Sequence, residues 1–280
     1  MPNLRAALAE ATVRLGFTDT AALDAQILLA HVLGRSRTWL YTWPAYELTP
    51  EQERAFDALI GRAAQGEPVA YLTGQRAFWT LTLHVTPAVL IPRPETEVLV
   101  ELVLESVKAD SALVADLGTG SGAIALALAS ERPNWRIHAT DASSAALSVA
   151  KANAERLAIT NVQFFPGSWC EALPATGYAL IVSNPPYIAE EDPHLAALWY
   201  EPRSGLVAAE CGLADLKQIA LQARSKLANG GLLLLEHGWQ QGASVRSVLT
   251  GLGYREVRTC EDHGGRERVT LGSWQDDSHE

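Results

Sequence analysis

The chain has 280 residues, of which 48% are hydrophobic and 19% charged. That is enough apolar material to bury a core in two domains, and it excludes a disordered chain. Twenty-two Lys and Arg against 32 Asp and Glu leave a formal net charge of −10; this argues against stable nucleic-acid binding through phosphate contacts, which need clustered cations. Cys170, Cys211 and Cys260 are odd in number, far apart and without Cys-x-x-Cys spacing, so neither a disulfide framework nor a metal site is expected. The start of the chain lacks a cationic segment followed by an apolar run, and the stretch Ala123 to Ala129 is too short to span a bilayer. A cytoplasmic protein without membrane association is the simplest expectation.

The first part reads as helices. Leu4, Ala7, Leu8, Ala11 and Leu15 recur at helical spacing, and a second stripe, Leu23, Ile27 and Ala30, ends at Gly34. A third helix has a defined start: Thr49 caps, Pro50 suits the first turn and Gln52 completes a capping box. Its stripe is Phe56, Leu59, Ile60 and Ala63, and Gly66-Glu67-Pro68 stops it. Trp39, Trp43 and Tyr46 are expected as core or contact residues of this small bundle. Residues 1–85 hold seven Lys or Arg against eight Asp or Glu, so no basic face is available there.

From Phe78 the period changes. Phe78, Thr80, Thr82 and His84 alternate with Trp79, Leu81, Leu83 and Val85, and Pro87 interrupts before Val89-Leu90-Ile91. This pattern predicts a β-hairpin. The expected division is a helical domain over 1–76, a hairpin linker over 77–92 and a catalytic domain over 93–280. Pro92-Arg93-Pro94-Glu95-Thr96-Glu97 leads into a helix through Leu104. Glu95 and Glu97 are expected to favour its positive end.

Beyond this point strands and helices alternate. Strands are predicted over 113–117, 136–140, 162–165, 178–183 and 232–235, and helices over 123–129, 144–157 and 216–227. Gly230-Gly231 reads as a turn, and two further strands, 254–260 and 268–271, close the chain. Such alternation predicts an α/β fold with a mainly parallel sheet covered on both faces.

Asp116-Leu117-Gly118-Thr119-Gly120-Ser121-Gly122 follows the first of these strands and opens a helix. Glycines there allow a tight turn and let a ligand lie against the backbone. The spacing Gly-x-Gly-x-Gly differs from the nicotinamide fingerprint, and no Gly-Lys-Ser/Thr follows for a nucleoside triphosphate. Asp141 ends the second strand, where an acid meets a ribose diol in dinucleotide folds. Trp169 is a candidate wall for an adenine, or a plain core residue.

Asn184-Pro185-Pro186-Tyr187 ends the fourth strand, the end at which open α/β sheets bind ligands. Consecutive prolines deny helical geometry and remove two N–H donors, so the loop is stiff and the Pro185 carbonyl is free to face a site. The Asn184 side-chain oxygen and that carbonyl are two acceptors for one planar NH2 group, and Tyr187 offers it a flat face. An amide nitrogen is a poor nucleophile because its lone pair is delocalised. Two acceptors oppose the positive charge that grows on such a nitrogen during methyl transfer, and the rest of catalysis is positioning. Read by itself, the tetrapeptide fits a nucleic-acid base, as in adenine-N6 methyltransferases, as well as an amide.

The chain resembles the PrmC (HemK) family of release factor glutamine methyltransferases over nearly its full length. The matching runs are Glu67-Pro68-Val69-Ala70-Tyr71-Leu72-Thr73-Gly74, Ile91-Pro92-Arg93-Pro94-Glu95-Thr96-Glu97, Asp116 to Gly122, Val182-Ser183-Asn184-Pro185-Pro186-Tyr187, Glu236-His237-Gly238 and Glu267-Arg268-Val269-Thr270. The resemblance implies a class I S-adenosylmethionine-dependent methyltransferase, with a Rossmann-like sheet behind a small helical domain. It implies S-adenosylmethionine as cofactor, held by Gly118, Thr119, Gly120, Ser121, Gly122, Asp141, Trp169 and Asn184. It further implies a substrate, the glutamine of the Gly-Gly-Gln loop in class 1 peptide chain release factors, bound by Asn184, Pro185, Pro186 and Tyr187 and docked with help from the helical domain. Asn184 and Pro185 are the expected catalytic pair. Two departures stand out. Ser168 stands where members often carry an Asp that meets the adenine amino group, which either weakens adenine recognition or passes it to backbone groups. Trp199 stands where an Arg often precedes the aromatic-Glu-Pro, here Tyr200-Glu201-Pro202, and the segment after Asp192-Pro193-His194-Leu195 is shorter than usual. The competing readings are a base methyltransferase and a non-catalytic release-factor binding protein; the negative charge opposes the first and the intact glycine loop, Asp141 and Asn184 the second. His237 is expected to be structural, His194 and His263 to lie in loops, and Glu190-Glu191-Asp192 to be a solvated face.

Overall fold

A computed structural model describes residues 2–16 and 19–275; the other positions, including the last five of the expected catalytic domain, lie outside the described residues. The chain divides into two compact units, Met1–Gln75 and Arg76–Glu280.

The first unit contains α1 (Leu4–Arg14), α2 (Ala21–Leu33), α3 (Arg37–Thr42), α4 (Pro50–Ala63) and α5 (Val69–Thr73). Asn3 caps α1 by accepting from Ala6 N, and Thr49 and Gln52 form the reciprocal capping box of α4. Gly34, left-handed at φ +61°, ends α2. Leu4, Leu15, Leu28, Leu29, Phe56 and Ile60 fill the core. The buried face of α2 is Ala21, Ala25, Leu28, Leu29 and Ala30, whereas Leu23 is exposed. The expected stripe is therefore rotated, because the small alanines, not Leu23, face the packed helices. Trp39 packs partly into this core and meets Tyr46 edge-on at 5.2 Å, but Trp43 is exposed. The short α3 and α5 have no amphipathic stripe long enough to be read from sequence.

The hairpin pairs β1 (Gln75–Phe78) with β2 (Leu81–His84). Its turn, Trp79-Thr80, is tighter than the continuous alternation suggests, with Trp79 left-handed at φ +55°. Glu97 opens α6 (Glu97–Ser106) at its positive end, as expected, and its Oε1 also accepts from Trp79 N at 2.9 Å. A 3-10 turn, Pro94–Thr96, precedes that helix.

A seven-stranded sheet follows, in the order β5-β4-β3-β6-β7-β9-β8. The strands are β3 (Leu113–Leu117), β4 (Arg136–Asp141), β5 (Val162–Pro166), β6 (Tyr178–Ser183), β7 (Leu227–Glu236), β8 (Arg255–Glu261) and β9 (Glu267–Ser273). The first five are parallel, and β9 and β8 add an antiparallel pair at one edge. The helices are α7 (Ala123–Glu131), α8 (Ser144–Arg156), the one-turn α9 (Ala209–Gly212), α10 (Ala214–Ala223) and α11 (Gly242–Gly251). Alternate residues serve opposite faces: Val114, Leu180, Val182 and Leu234 join the core under α6 and α7, while Ala115, Ile181, Leu233 and Leu235 join the core under α10 and α11. Two boundaries differ from expectation. Helix α10 ends at Ala223, because Leu227 already pairs with Tyr178, and Gly230-Gly231 lies within a bulged stretch of β7. Helix α11, missing from the expectation, carries Val245, Val248 and Leu249 at helical spacing with Leu252 at its cap, and these pack into the core on its face of the sheet.

The sheet order sets the site. The chain winds outward from β3 to β5 and returns on the other side of β3 as β6, so β3 and β6 flank the switch point. Leu117 pairs with Thr140 on one side and Ser183 on the other. Gly118, Asp141 and Asn184 therefore leave the sheet side by side.

Asn153 of α8 ties the hairpin to the glycine loop. Fully buried, it donates to His84 O and Ser121 O, both at 2.9 Å, and accepts from His84 N at 2.7 Å. Asn153→Ala removes all three bonds at once and is expected to destabilise the unit by about 3 kcal/mol, measurable as a lowered midpoint in urea; a loss within experimental error would contradict this role.

Candidate active site

The glycine loop is held from below. Gly118 N and Thr119 N donate to Thr140 O at 2.8 and 2.9 Å. Asp116, fully buried at the penultimate position of β3, accepts from Thr119 Oγ1 at 2.6 Å and from Ala125 N at 3.1 Å. Its Oδ1 is buried with no hydrogen-bond partner among the described residues. The three glycines have different tasks. Gly118, at φ +71°, lies under the indole of Trp169, which a Cβ would meet at 3.0 Å; at Gly120, φ +56°, a Cβ would meet nothing, so the loop is open there. Gly122 packs on Leu126 and Ala150 and lines neither cavity described below.

Asp141 is half-buried at the end of β4. Its Oδ2 accepts from Gly120 N at 2.9 Å and its Oδ1 from Ser143 N at 2.8 Å. Trp169 is left-handed at φ +46°, a conformation that costs a non-glycine residue about 1 kcal/mol or more and is kept where the surroundings fix it. Asp215 of α10 lines the same cleft as Trp169, and burial moves its carboxyl pKa upward.

These residues line one cleft of about 320 Å³, which includes Gly118, Gly120, Asp141, Trp169, Asn184 and Asp215. A smaller adjoining cavity of about 50 Å³ lies between Thr119, Ser121, Arg93, Thr96 and Asn184. Asn184 lines both. The larger cleft is in the range that takes a nucleoside-sized ligand. An open backbone cradle at Gly120, a carboxylate at the ribose position, an indole wall and the unpartnered Asp116 oxygen together suit S-adenosylmethionine, whose sulfonium and ammonium charges favour acidic surroundings. Ser168, Pro202, Ser204, Gly205 and residues 88–90 also line the cleft; of these, Ala88, Ser204 and Gly205 did not stand out in the sequence.

The reactive loop is clamped at several points. Ser183 Oγ donates to Leu117 O at 2.7 Å, joining the ends of β6 and β3. Asn184 Nδ2 donates to Thr96 Oγ1 at 3.2 Å. Pro185 and Pro186 are buried, and Asn184 and Tyr187 half-buried. Gln241 Nε2 donates to Tyr187 O at 3.0 Å and Cys211 O at 3.2 Å, while its Oε1 accepts from Gly238 N at 2.8 Å. Gly212 must lack a side chain, since a Cβ there would fall 2.1 Å from Tyr187 O. The Tyr187 hydroxyl donates to Glu236 Oε1 at 3.3 Å, and its pKa is raised, first by burial and then by the Glu236 charge. Glu201 is buried, accepts from Ile91 N at 3.0 Å and pairs with Arg93. His237 is structural as expected, with Nε2 2.8 Å from Thr270 Oγ1 and Nδ1 2.9 Å from Gly238 O.

Residues 6–74 match the PrmC N-terminal domain and residues 94–200 the methyltransferase small domain. A release factor glutamine methyltransferase of Escherichia coli (strain K12) is 50% identical to this chain, covering 95% of it and 97% of the relative. That of Coxiella burnetii is 49% identical, covering 91% and 92%. A crystallised methyltransferase from Pyrococcus furiosus has a TM-score of 0.55 at 18% identity, covering 77% of this chain and 98% of its own, a likeness of fold. The fold is that of the class I S-adenosylmethionine-dependent methyltransferases. The chain belongs to the release factor glutamine methyltransferase family.

The buried Asp116 has a measurable consequence. Burial raises its carboxyl from 3.8 to about 7, opposed by the bonds from Thr119 and Ala125 and assisted by the charge of Asp141. A carboxyl with a raised folded-state pKa costs nothing below its unfolded pKa and withdraws stability as pH rises toward the folded value. The melting temperature of Asp116→Asn minus that of the wild type is therefore expected to rise between pH 4 and about 7 and then level off. A pH-independent difference would show that Asp116 ionises normally.

Proposed function

We propose that this chain transfers a methyl group from S-adenosylmethionine to the side-chain amide nitrogen of the glutamine in the Gly-Gly-Gln loop of class 1 peptide chain release factors, thereby supporting translation termination. The observation that carries the reading is the place of Asn184, at the junction of the two cavities and with its amino end engaged by Thr96. Its Oδ1 is left to accept from a substrate NH2. The choice of a protein glutamine over a base rests on the 50% identity to a release factor glutamine methyltransferase.

In this reading Gly118 to Ser121, Asp141, Trp169 and Asn184 hold the cofactor, while Gly122, which lines neither cavity, lets the loop pack on Leu126 and Ala150. Asp141 accepts from the ribose hydroxyls and Trp169 covers the adenine. S-adenosylmethionine supplies an electrophilic methyl group when bound. Asn184 Oδ1 and the Pro185 carbonyl accept the two N–H bonds of the glutamine amide, turning its nitrogen toward that methyl. Both acceptors strengthen as positive charge grows on the nitrogen, which is the differential stabilisation that catalysis needs. Pro186 stiffens the loop and Tyr187 supports the planar amide. The released proton leaves to water after transfer, so no strong base is needed at the nitrogen.

The helical unit docks the release factor, and its exposed Tyr41 and Trp43 are suited to protein contact. Among the described residues no helix is long and apolar enough to cross a membrane. A cytoplasmic location and no stable nucleic-acid binding complete the proposal.

The deciding experiment is mass spectrometry of a release factor after incubation with the protein and S-adenosylmethionine. One added methyl on the Gly-Gly-Gln glutamine is expected; methylation of a nucleic-acid base instead, or binding without transfer, would overturn the reading. Asn184→Ala is expected to lower turnover by about 100-fold or more, a far larger loss than in cofactor binding, and unchanged turnover would remove Asn184 from the chemistry. Trp169→Ala should weaken cofactor binding by roughly tenfold, the scale of a lost stacking contact, as read by calorimetry with S-adenosylhomocysteine.

A further inference from the structure

We propose that His237 and Gln241 are positioning residues for methyl transfer: a hydrogen-bond chain running in one direction from Arg246 through the His237 ring to the Gly238 carbonyl fixes the turn from which Gln241 holds the reactive loop. The chain keeps His237 as a neutral ring with its proton on Nδ1. The inference rests on the substrate-binding role given to residues 184–187 above.

Each link is a contact in the structure. Arg246 Nη1 donates to Thr259 Oγ1 at 2.6 Å and to Glu267 Oε1 at 2.8 Å. Thr259 Oγ1 lies 2.8 Å from Thr270 Oγ1, which lies 2.8 Å from His237 Nε2. His237 Nδ1 lies 2.9 Å from Gly238 O. The two ends fix the sense of the whole. A guanidinium only donates and a carbonyl only accepts, so His237 Nδ1 carries a proton. The ring is fully buried; burial lowers its pKa, as do Arg268 on β9 and Arg246 on α11, against the opposing effects of Gly238 O and Glu267. The ring is therefore neutral, its Nε2 accepts, and the Thr270 hydroxyl is the donor to it. Thr270 in turn accepts from Thr259, and Thr259 from Arg246. Each hydroxyl then accepts once and donates once, and bonds ordered in this way reinforce one another.

The chain ends at the support of the reactive loop. Gly238 O also accepts from Gln241 N at 2.8 Å, which closes the turn 238–241. Residues 239 and 240 are exposed, so the His237 ring anchors this turn from its buried side. Within it Gly238 N donates to Gln241 Oε1 at 2.8 Å, leaving Gln241 Nε2 for Tyr187 O at 3.0 Å and Cys211 O at 3.2 Å. The opposite amide orientation would set Oε1 against two carbonyls and Nε2 against an N–H, so only one orientation is satisfied. His237 thus places Gln241, and Gln241 places the last carbonyl of the tetrapeptide Asn184-Pro185-Pro186-Tyr187.

The ring state is read without turnover. In 15N-labelled protein bound to S-adenosylhomocysteine, the His237 ring, assigned by its absence in His237→Asn, should show a protonated Nδ1 and an unprotonated Nε2. It should keep that form as pH falls through 6.5, the ordinary histidine value. An asparagine can set an N–H donor where Nδ1 stands, whereas a glutamine reaches toward the Nε2 position. His237→Asn should therefore keep the bond to Gly238 O and most of the kcat with release factor. His237→Gln should lose on the order of 100-fold in kcat with little change in KM. The Gln241 side-chain NH2 signal should move in His237→Gln and stay in place in His237→Asn. Gln241→Glu, which turns a carboxylate toward two carbonyls, should match the loss of His237→Gln, and the double variant should be no slower than the slower single one. Residues 237, 238 and 241 line neither cavity, so S-adenosylhomocysteine affinity, read by calorimetry, should stay close to wild type in every variant. Loss of that affinity would make the chain a support of the whole fold and overturn the positioning role. A ring protonated on Nε2, equal losses in His237→Asn and His237→Gln, or multiplied losses in the double variant would overturn it as well. If the ring and the Gln241 signal behave as expected but no release factor is methylated, the chain to Tyr187 stands and the proposed substrate falls.

Discussion

The parallel pairing of β3 with β6 is the constraint on which the rest of the site depends. Leu117 and Ser183 are partners in register, and the Ser183 hydroxyl fastens to Leu117 O. The next residues, Gly118 and Asn184, therefore emerge together. The neighbouring register of Leu117 with Thr140 brings Asp141 to the same edge. A slip of one residue in either pairing would turn alternate side chains to the wrong face and separate the glycine loop from the reactive loop. The register is secured by burial on both faces: β3 and β6 send successive residues into two separate cores, so no shifted pairing satisfies both.

Around this junction the protein concentrates rigidity. Consecutive prolines limit the loop after β6, but they do not anchor it. Anchoring comes from Gln241, which holds two carbonyls on different segments, and from Gly212, whose missing Cβ admits the Tyr187 carbonyl. The left-handed backbone at Glu210 and Cys211 belongs to the same turn. Trp169 is likewise strained and likewise supported, by Gly118 beneath it. Strain of this kind persists only where packing outweighs it; Trp169 lines the cleft, and the Glu210–Cys211 turn braces the Tyr187 carbonyl through Gln241 and Gly212.

Acidic groups dominate the electrostatics. Asp116 and Glu236 are buried with one unpartnered oxygen each, and burial raises both toward neutrality. Both therefore cost stability at neutral pH, which a fold under selection for stability alone would not retain. They sit on opposite sides of the site, one under the proposed cofactor loop and one behind the proposed substrate loop. Their shared chemistry suits a reaction in which a cationic donor meets a nitrogen that gains positive charge.

Much of this was legible in the amino-acid sequence alone. The strand–glycine–helix run at Asp116 to Gly122, the acid at Asp141 and the Asn-Pro-Pro-Tyr loop each carry a local signature, because tight turns and stiff loops demand particular residue types whatever surrounds them. The capping box of α4 and the alternation of strands with helices are local in the same sense. Long-range pairing is not. The early start of β7 depends on Tyr178, and the buried face of α2 depends on the helices that surround it. Helix α11, by contrast, carries a local helical stripe in Val245, Val248, Leu249 and Leu252, which pack on one face of the sheet. The same limit applies to the site. Thr96 and Glu236 stand in runs that the sequence singled out, yet nothing local says that the first meets Asn184 and the second Tyr187. Residue type determined what each group can donate or accept; only the folding of distant segments into one sheet determined which groups meet.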